Sequence, residues 1–173
     1  QMRKAVDWTI KARQLAPADS PFAGLHRATP ADGESLWDGT HHILGYDFWN
    51  LRGLLCTAEA ARALGKTDEA DALQEEAAAY RAAIDKAWQT TGLPHFPPSW
   101  EKEGTHWGNT ETLWPTPIFP ANDSRVTALM KDRKLFIADG KAPYYKGDNA
   151  IHNLDELDRY IALFEHHEAK WVA

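Results

Sequence analysis

Apolar residues recur every three to four positions along five stretches of this chain, and each such stretch predicts an amphipathic helix. The first, residues 2–16 (MRKAVDWTIKARQLA), places Ala5, Trp8, Ala12 and Leu15 on one stripe. The second, residues 46–65 (YDFWNLRGLLCTAEAARALG), runs through Phe48, Leu51, Leu55, Ala58 and Ala61. Asp47 stands where it can cap the start of that helix, and Gly65 where a left-handed residue can end it. Gly53 costs about 1 kcal/mol relative to alanine in mid-helix, and the expected compensation is close approach of a neighbouring helix. The third stretch, residues 67–88, buries Leu73, Ala77, Tyr80, Ile84 and Trp88, with Thr67 as the expected cap. Asp68 and Glu69 there face the positive end of the helix dipole. The short Gly65-Lys66-Thr67 turn between the second and third stretches predicts an antiparallel helical hairpin. Residues 122–136 predict a short helix capped near Asn122 or Asp123, and residues 154–172 a last one through Leu157, Ile161, Phe164 and Trp171.

Between these stretches the pattern disappears. Pro17, Pro21 and Pro30, with Gly24, Gly33, Gly39 and Gly45, keep residues 17–45 largely irregular. Residues 89–121 are rich in proline, and Pro115, Pro117 and Pro120 lack the amide hydrogen that a helix interior needs. Residues 138–153 also read as loop, and no segment alternates as a strand would. The expected fold class is therefore all-α, a single domain over residues 1–173 with long aromatic-rich loops. Loops of that length tend to carry function.

Composition narrows the classes. The 173 residues are 43% hydrophobic and 25% charged, as in a globular domain. A net charge of −6 supplies no phosphate-neutralising face, which argues against a nucleic-acid partner. No apolar run approaches the roughly 20 residues that span a bilayer, so no membrane role is expected. The one cysteine, Cys56, excludes an intrachain disulfide, and its place among leucines predicts a buried structural thiol. The chain opens on Gln1 inside a helical pattern with no signal peptide in view, so it is expected to be a piece of a longer protein; its localisation is not legible.

Eight tryptophans change the picture most. Trp8, Trp88 and Trp171 sit on apolar helix stripes and read as core. Trp37, Trp100, Trp107 and Trp114 fall in loops, and Trp49 opens a helix directly after one. His41, His42, His106 and Asn109 accompany them. Flat apolar rings with hydrogen-bonding neighbours suit a sugar, which presents C–H faces and a rim of hydroxyls. Hydrolysis of a glycosidic bond needs two carboxyl groups, an acid for the leaving oxygen and a base or nucleophile opposite. Glu34, Asp38, Asp47, Glu101, Glu103 and Glu111 are the candidates in loops or at helix starts. Asp38 follows Trp37 and precedes His41, and Glu111 lies between Trp107 and Trp114; an aromatic, partly desolvated setting raises a carboxyl pKa toward that of a working acid. Glu111 and Asp38 are thus the expected catalytic pair, with Asp47 in reserve. The adjacent pairs His41-His42 and His166-His167 diverge and cannot chelate one ion as two histidines one helical turn apart can. No metal and no cofactor is expected, and no nucleotide-binding or nucleophile-elbow motif is present.

The stretch from His41 to Trp88 resembles a known group. Phe48, Trp49, Leu51, Arg52, Gly53 and Leu54, followed by Ala63, Leu64, Gly65, Asp68, Ala70 and Ala77, are similar to paired helices of the six-hairpin glycosidase superfamily, the (α/α)6-toroid enzymes that include glucoamylases, trehalases and α-L-rhamnosidases. "GTHWGNTETLWPTPIFP" followed by "DSRVTALM" resembles the segment between hairpins that descends into the sugar funnel of such enzymes. The resemblance covers residues 20–130. It implies a helical toroid, an oligosaccharide or glycoside substrate, Asp47 and Trp49 at the start of an inner helix, and Trp107, Asn109, Glu111 and Trp114 on a funnel loop. His41, His42, Trp37 and Asn109 join Trp49, Trp107 and Trp114 as expected sugar-binding residues. Six hairpins need about twelve helices and this chain offers five, so it implies a partial toroid that associates with the rest of a longer enzyme or completes itself as a homo-oligomer.

Two rival readings compete. "ARALGKTDEADALQEEAAAYRAAI" also resembles a single tetratricopeptide-type unit, a protein-interaction module, although one copy at no fixed period does not stack. A sugar-binding relative without catalysis would keep the aromatic face and lose the carboxylate pair.

Overall fold

The computed structural model describes residues 2–30, 40–103, 109, 112, 115–120, 122–129 and 131. Within them the protein is all-α: α1 (Met2–Arg13), α2 (Leu44–Ala63) and α3 (Thr67–Thr91), followed by a helical segment over residues 124–129. Two short extended pieces, β1 (Thr29–Pro30) and β2 (Thr40–His41), pair antiparallel, Thr29 with His41 and Pro30 with Thr40. This ladder falls inside a region that the sequence marks only as irregular. Its two residues per strand are too few for an alternating pattern to show. The expected helix over residues 154–172 and the loop over 138–153 lie outside the described residues, as do Trp171 and the second histidine pair.

Helices α2 and α3 lie against each other and share the core. Leu44, Phe48, Leu51, Leu54 and Ala58 from α2 meet Leu73, Ala77, Tyr80 and Ile84 from α3, and Phe96, Phe119 and Leu129 close the cluster. The expected stripes are borne out in both helices, with Leu55 and Trp88 packed at the margin. The turn between them is set by backbone chemistry. Gly65 takes φ 72°, and the amides of Gly65 and Lys66 donate back to the carbonyls of Arg62 and Ala61. These two bonds satisfy the last carbonyls of α2 in a Schellman arrangement, which a side chain at position 65 would strain.

The helix starts differ from expectation. α2 begins at Leu44, and the Leu44 amide donates to the carbonyl of Pro98. A neighbouring chain segment thus does the work of a cap, which leaves Asp47 free for another task. α3 begins at Thr67 after Lys66, so Thr67 is its first residue and no side chain caps it. It also runs three residues beyond Trp88, to Thr91, and Gly92 follows with φ 68°. By contrast Asp123 caps the 124–129 segment as expected: its Oδ1 accepts from the Arg125 amide at 2.9 Å.

Arg125 holds the later chain to α3. Its guanidinium donates to Asp123 and Asp85 and lies about 5 Å from the ring centres of Trp88, Phe96 and Phe119. Burial alone would lower its pKa, but the two carboxylates outweigh burial and hold it above the usual value.

α1 departs most from its predicted stripe. Of Ala5, Trp8, Ala12 and Leu15 only Ala12 is buried; Trp8 is 51% and Leu15 64% exposed. The buried side is Thr9, Ala12 and Arg13 instead. Polar bonds seat this helix: Thr9 Oγ1 donates to Asn50 Oδ1 at 3.2 Å, and Arg13 reaches the Gly24 carbonyl and Glu76. Apolar periodicity does not record anchors of that kind.

Gly53 overturns its expectation as well. A methyl group built there meets nothing within 4 Å among the described residues, so no neighbouring helix presses on it. Gly53→Ala should therefore stabilise the protein by about 0.5–1 kcal/mol, through helix propensity and a less flexible unfolded chain. A lower urea midpoint for the variant would show that something packs on this face.

Candidate functional site

At the end of the α2–α3 pair where α2 begins, two loops are sewn together. Ile43 and Ser99 form an isolated antiparallel bridge, Leu44 donates to Pro98, and the Trp100 amide donates to the His42 carbonyl at 3.0 Å. Residues 96–103 thereby lie along residues 41–44, more than fifty positions earlier in the chain. Side chains from both loops meet here.

Asp47 is the centre of this junction. It is 1% exposed. Its Oδ1 accepts from the His26 amide at 2.8 Å and from the Tyr80 hydroxyl at 2.7 Å, and its Oδ2 accepts from Trp100 Nε1 at 2.7 Å. Burial raises its pKa, and the three donors oppose that rise without cancelling it. Tyr80 is shifted too: burial and the adjacent carboxyl push its phenol well above the ordinary value. Arg13 lies over the Tyr80 ring, 3.8 Å from its centre, and brings a positive charge to the same cluster. Asp47 is neither the N-cap nor the reserve catalytic acid expected of it. Both oxygens are taken and neither faces solvent, so it ties α2 to α3 and to both loops.

His42 and Glu101 form a second, more open unit. His42 Nδ1 lies 2.6 Å from Glu101 Oε1, and the His42 amide donates to Glu101 Oε2 at 3.0 Å. Phe22 stacks on the imidazole with ring centres 4.2 Å apart. Burial would raise the Glu101 pKa, but the bonds from the His42 ring, from Glu101's own backbone and from the His42 amide outweigh it and lower the pKa. Glu101 is thus ionised at neutral pH and has no proton to give.

The remaining expected residues divide. His41 is buried in β2, with Nδ1 3.8 Å from Glu103 Oε2. Asn109, expected to meet sugar hydroxyls, is 1% exposed and donates from Nδ2 to the Phe96 carbonyl at 3.0 Å. Trp49 is 46% exposed and lines a shallow cleft with Met2, Ala5 and Thr9 of α1. It lies two residues past Asp47, about 200° around the helix, so the two do not share a face. Trp37, Asp38, Trp107, Glu111 and Trp114 lie outside the described residues. Cys56, expected to be buried, is partly exposed.

Sequence reasoning passed over Tyr80, Trp100 and Glu101 as partners. A tyrosine in the middle of the buried stripe was the available signal, because a buried phenol needs an acceptor. Nothing local in the sequence points from His42 to Glu101, which are 59 positions apart.

No protein family, curated protein or solved structure matches this chain. Among the described residues, no three His, Cys, Asp or Glu side chains are grouped to hold a metal ion, and no helix is long and apolar enough to cross a membrane.

Asp47→Ala would strand three buried donors, and a loss of roughly 3–5 kcal/mol is expected by urea unfolding. Asp47→Asn keeps one acceptor and should lose less. Because the folded-state pKa of Asp47 is raised, its favourable contribution is complete below about pH 3.9 and is lost as the pH rises through the folded value. The stability deficit of Asp47→Asn should accordingly shrink between pH 4 and pH 7. A deficit that grows over that interval would contradict a raised pKa.

Proposed function

We propose that this chain is a carbohydrate-active domain that hydrolyses glycosidic bonds with paired carboxyl groups and tryptophan platforms, built as helical hairpins of a partial α/α toroid. The observation that carries the reading is the junction at the start of α2. There the loops before α2 and after α3 are bound to each other by the Ile43–Ser99 bridge and the Asp47–Trp100 bond. Asp38 stands two residues before Thr40 in that junction, and Glu111 one residue before the buried Thr112.

In this reading Glu111 acts as general acid or base and Asp38 as its partner. Trp37, Trp107 and Trp114 stack on sugar rings, Trp49 extends the aromatic surface, and His42 binds a hydroxyl. Asp47, Asn109 and His41 belong to the frame that positions them. Tryptophans carried on loops fit a sugar better than they fit a peptide-binding helical repeat, whose contacts come from helix faces.

Glu111→Gln should lower turnover of aryl glycosides by at least about 10²-fold, the usual contribution of a positioned acid or base. Quenching of tryptophan fluorescence by oligosaccharides should be unchanged in the same variant. Full activity in Glu111→Gln would refute the assignment, and quenching without any turnover in the unaltered chain would favour a sugar binder that does not catalyse.

A further inference from the structure

We infer that His42 is a hydrogen-bond acceptor site, locked in that polarity by Glu101, and that it selects a ligand group which donates a proton, namely a hydroxyl. The inference rests on the carbohydrate reading for the identity of the ligand, and on geometry alone for the polarity.

The geometry is as follows. A neutral imidazole carries one N–H, on either Nδ1 or Nε2, and accepts at the other nitrogen. His42 Nδ1 lies 2.6 Å from Glu101 Oε1, and the other carboxylate oxygen is held by the His42 amide at 3.0 Å. An ionised carboxylate can only accept, so Nδ1 carries a proton, and in the neutral ring the lone pair is therefore on Nε2. Phe22 covers one ring face, with ring centres 4.2 Å apart. Nε2 makes no hydrogen bond among the described residues, and 17% of the side chain remains exposed. The outcome is an imidazole gripped at Nδ1 and packed on one face, whose Nε2, in the neutral ring, accepts.

Such a site discriminates chemically. A hydroxyl donates to Nε2. A fluorine or methoxy group at the same place on the ligand cannot donate, and sets its own lone pairs against that of Nε2. Glu101 is a positioning residue: it never meets the ligand but decides which group the ligand must present. A glutamine in its place can turn its amide so that either oxygen or nitrogen faces Nδ1. The ring could then take the other tautomer and donate from Nε2.

The test uses the whole chain and methyl glucosides, galactosides and mannosides in which each hydroxyl in turn is replaced by fluorine. Binding is read by tryptophan fluorescence, and the His42 tautomer by long-range proton–nitrogen NMR. One fluorinated position should weaken binding by about 3- to 10-fold, the loss of one hydrogen bond. Glu101→Gln should remove most of that difference while retaining affinity for the parent glycoside. A merely structural role for Glu101 would weaken all ligands alike, and that result would overturn the inference. So would NMR signals that place the proton on Nε2 in the unaltered protein. If no glycoside binds, the carbohydrate reading fails by itself. The acceptor polarity would then still be supported by an Nδ1–H tautomer in the unaltered protein that Glu101→Gln relaxes.

Discussion

The arrangement of this protein depends on one buried carboxyl group that accepts from three separate parts of the chain. Asp47 stands on α2, and its donors come from the loop before α2, from the middle of α3 and from the loop after α3. An isolated carboxylate in that position would be prohibitively unfavourable, because burial removes its hydration. Three donors make it tolerable, and the raised pKa records the part of the cost they leave uncompensated. The bonds are mutually dependent. Each donor is itself buried or fixed, so loss of the acceptor strands all three at once.

Two arginines extend this logic outward. Arg13 lies on the Tyr80 ring and pairs with Glu76, which brings the end of α1 to the Asp47 cluster. Burial lowers its pKa, with Glu76, Tyr80 and Asp47 acting against that fall. Arg125 sits among three aromatic rings and two carboxylates at the far side of the core. A planar guanidinium suits both places, since it can stack on a ring and still donate at its edge, which an ammonium cannot do. Helix α1 and the chain after α3 therefore join the α2–α3 pair largely through polar anchors, while the pair itself is held by aliphatic packing.

That division explains what was legible in the sequence. Phe48, Leu51, Ala58, Leu73, Ala77 and Ile84 announce α2 and α3 because aliphatic burial leaves a periodic trace. Gly65 and Asp123 announce a helix end and a helix start because backbone geometry restricts which residues serve there. α1 misleads, since Thr9 and Arg13 rather than Trp8 and Leu15 face inward, and polar anchors obey no period. Asp47 misleads for another reason: a short acid near a helix start usually caps it, but here Pro98 accepts from the first amide. The loop partnerships were hidden by distance. His42 with Glu101, and Asp47 with Trp100, join residues 59 and 53 positions apart, and no window of sequence spans both.

The small ladder between β1 and β2 has a consequence for how such a protein can change. It pins Thr29 to His41 and Pro30 to Thr40, so the two ends of the segment between Pro30 and Thr40 are held at a fixed separation. The entropy of closing a segment between clamped ends rises only with the logarithm of its length, by about 0.6 kcal/mol per doubling. Changes of length between these clamped ends would therefore cost α2 and α3 little.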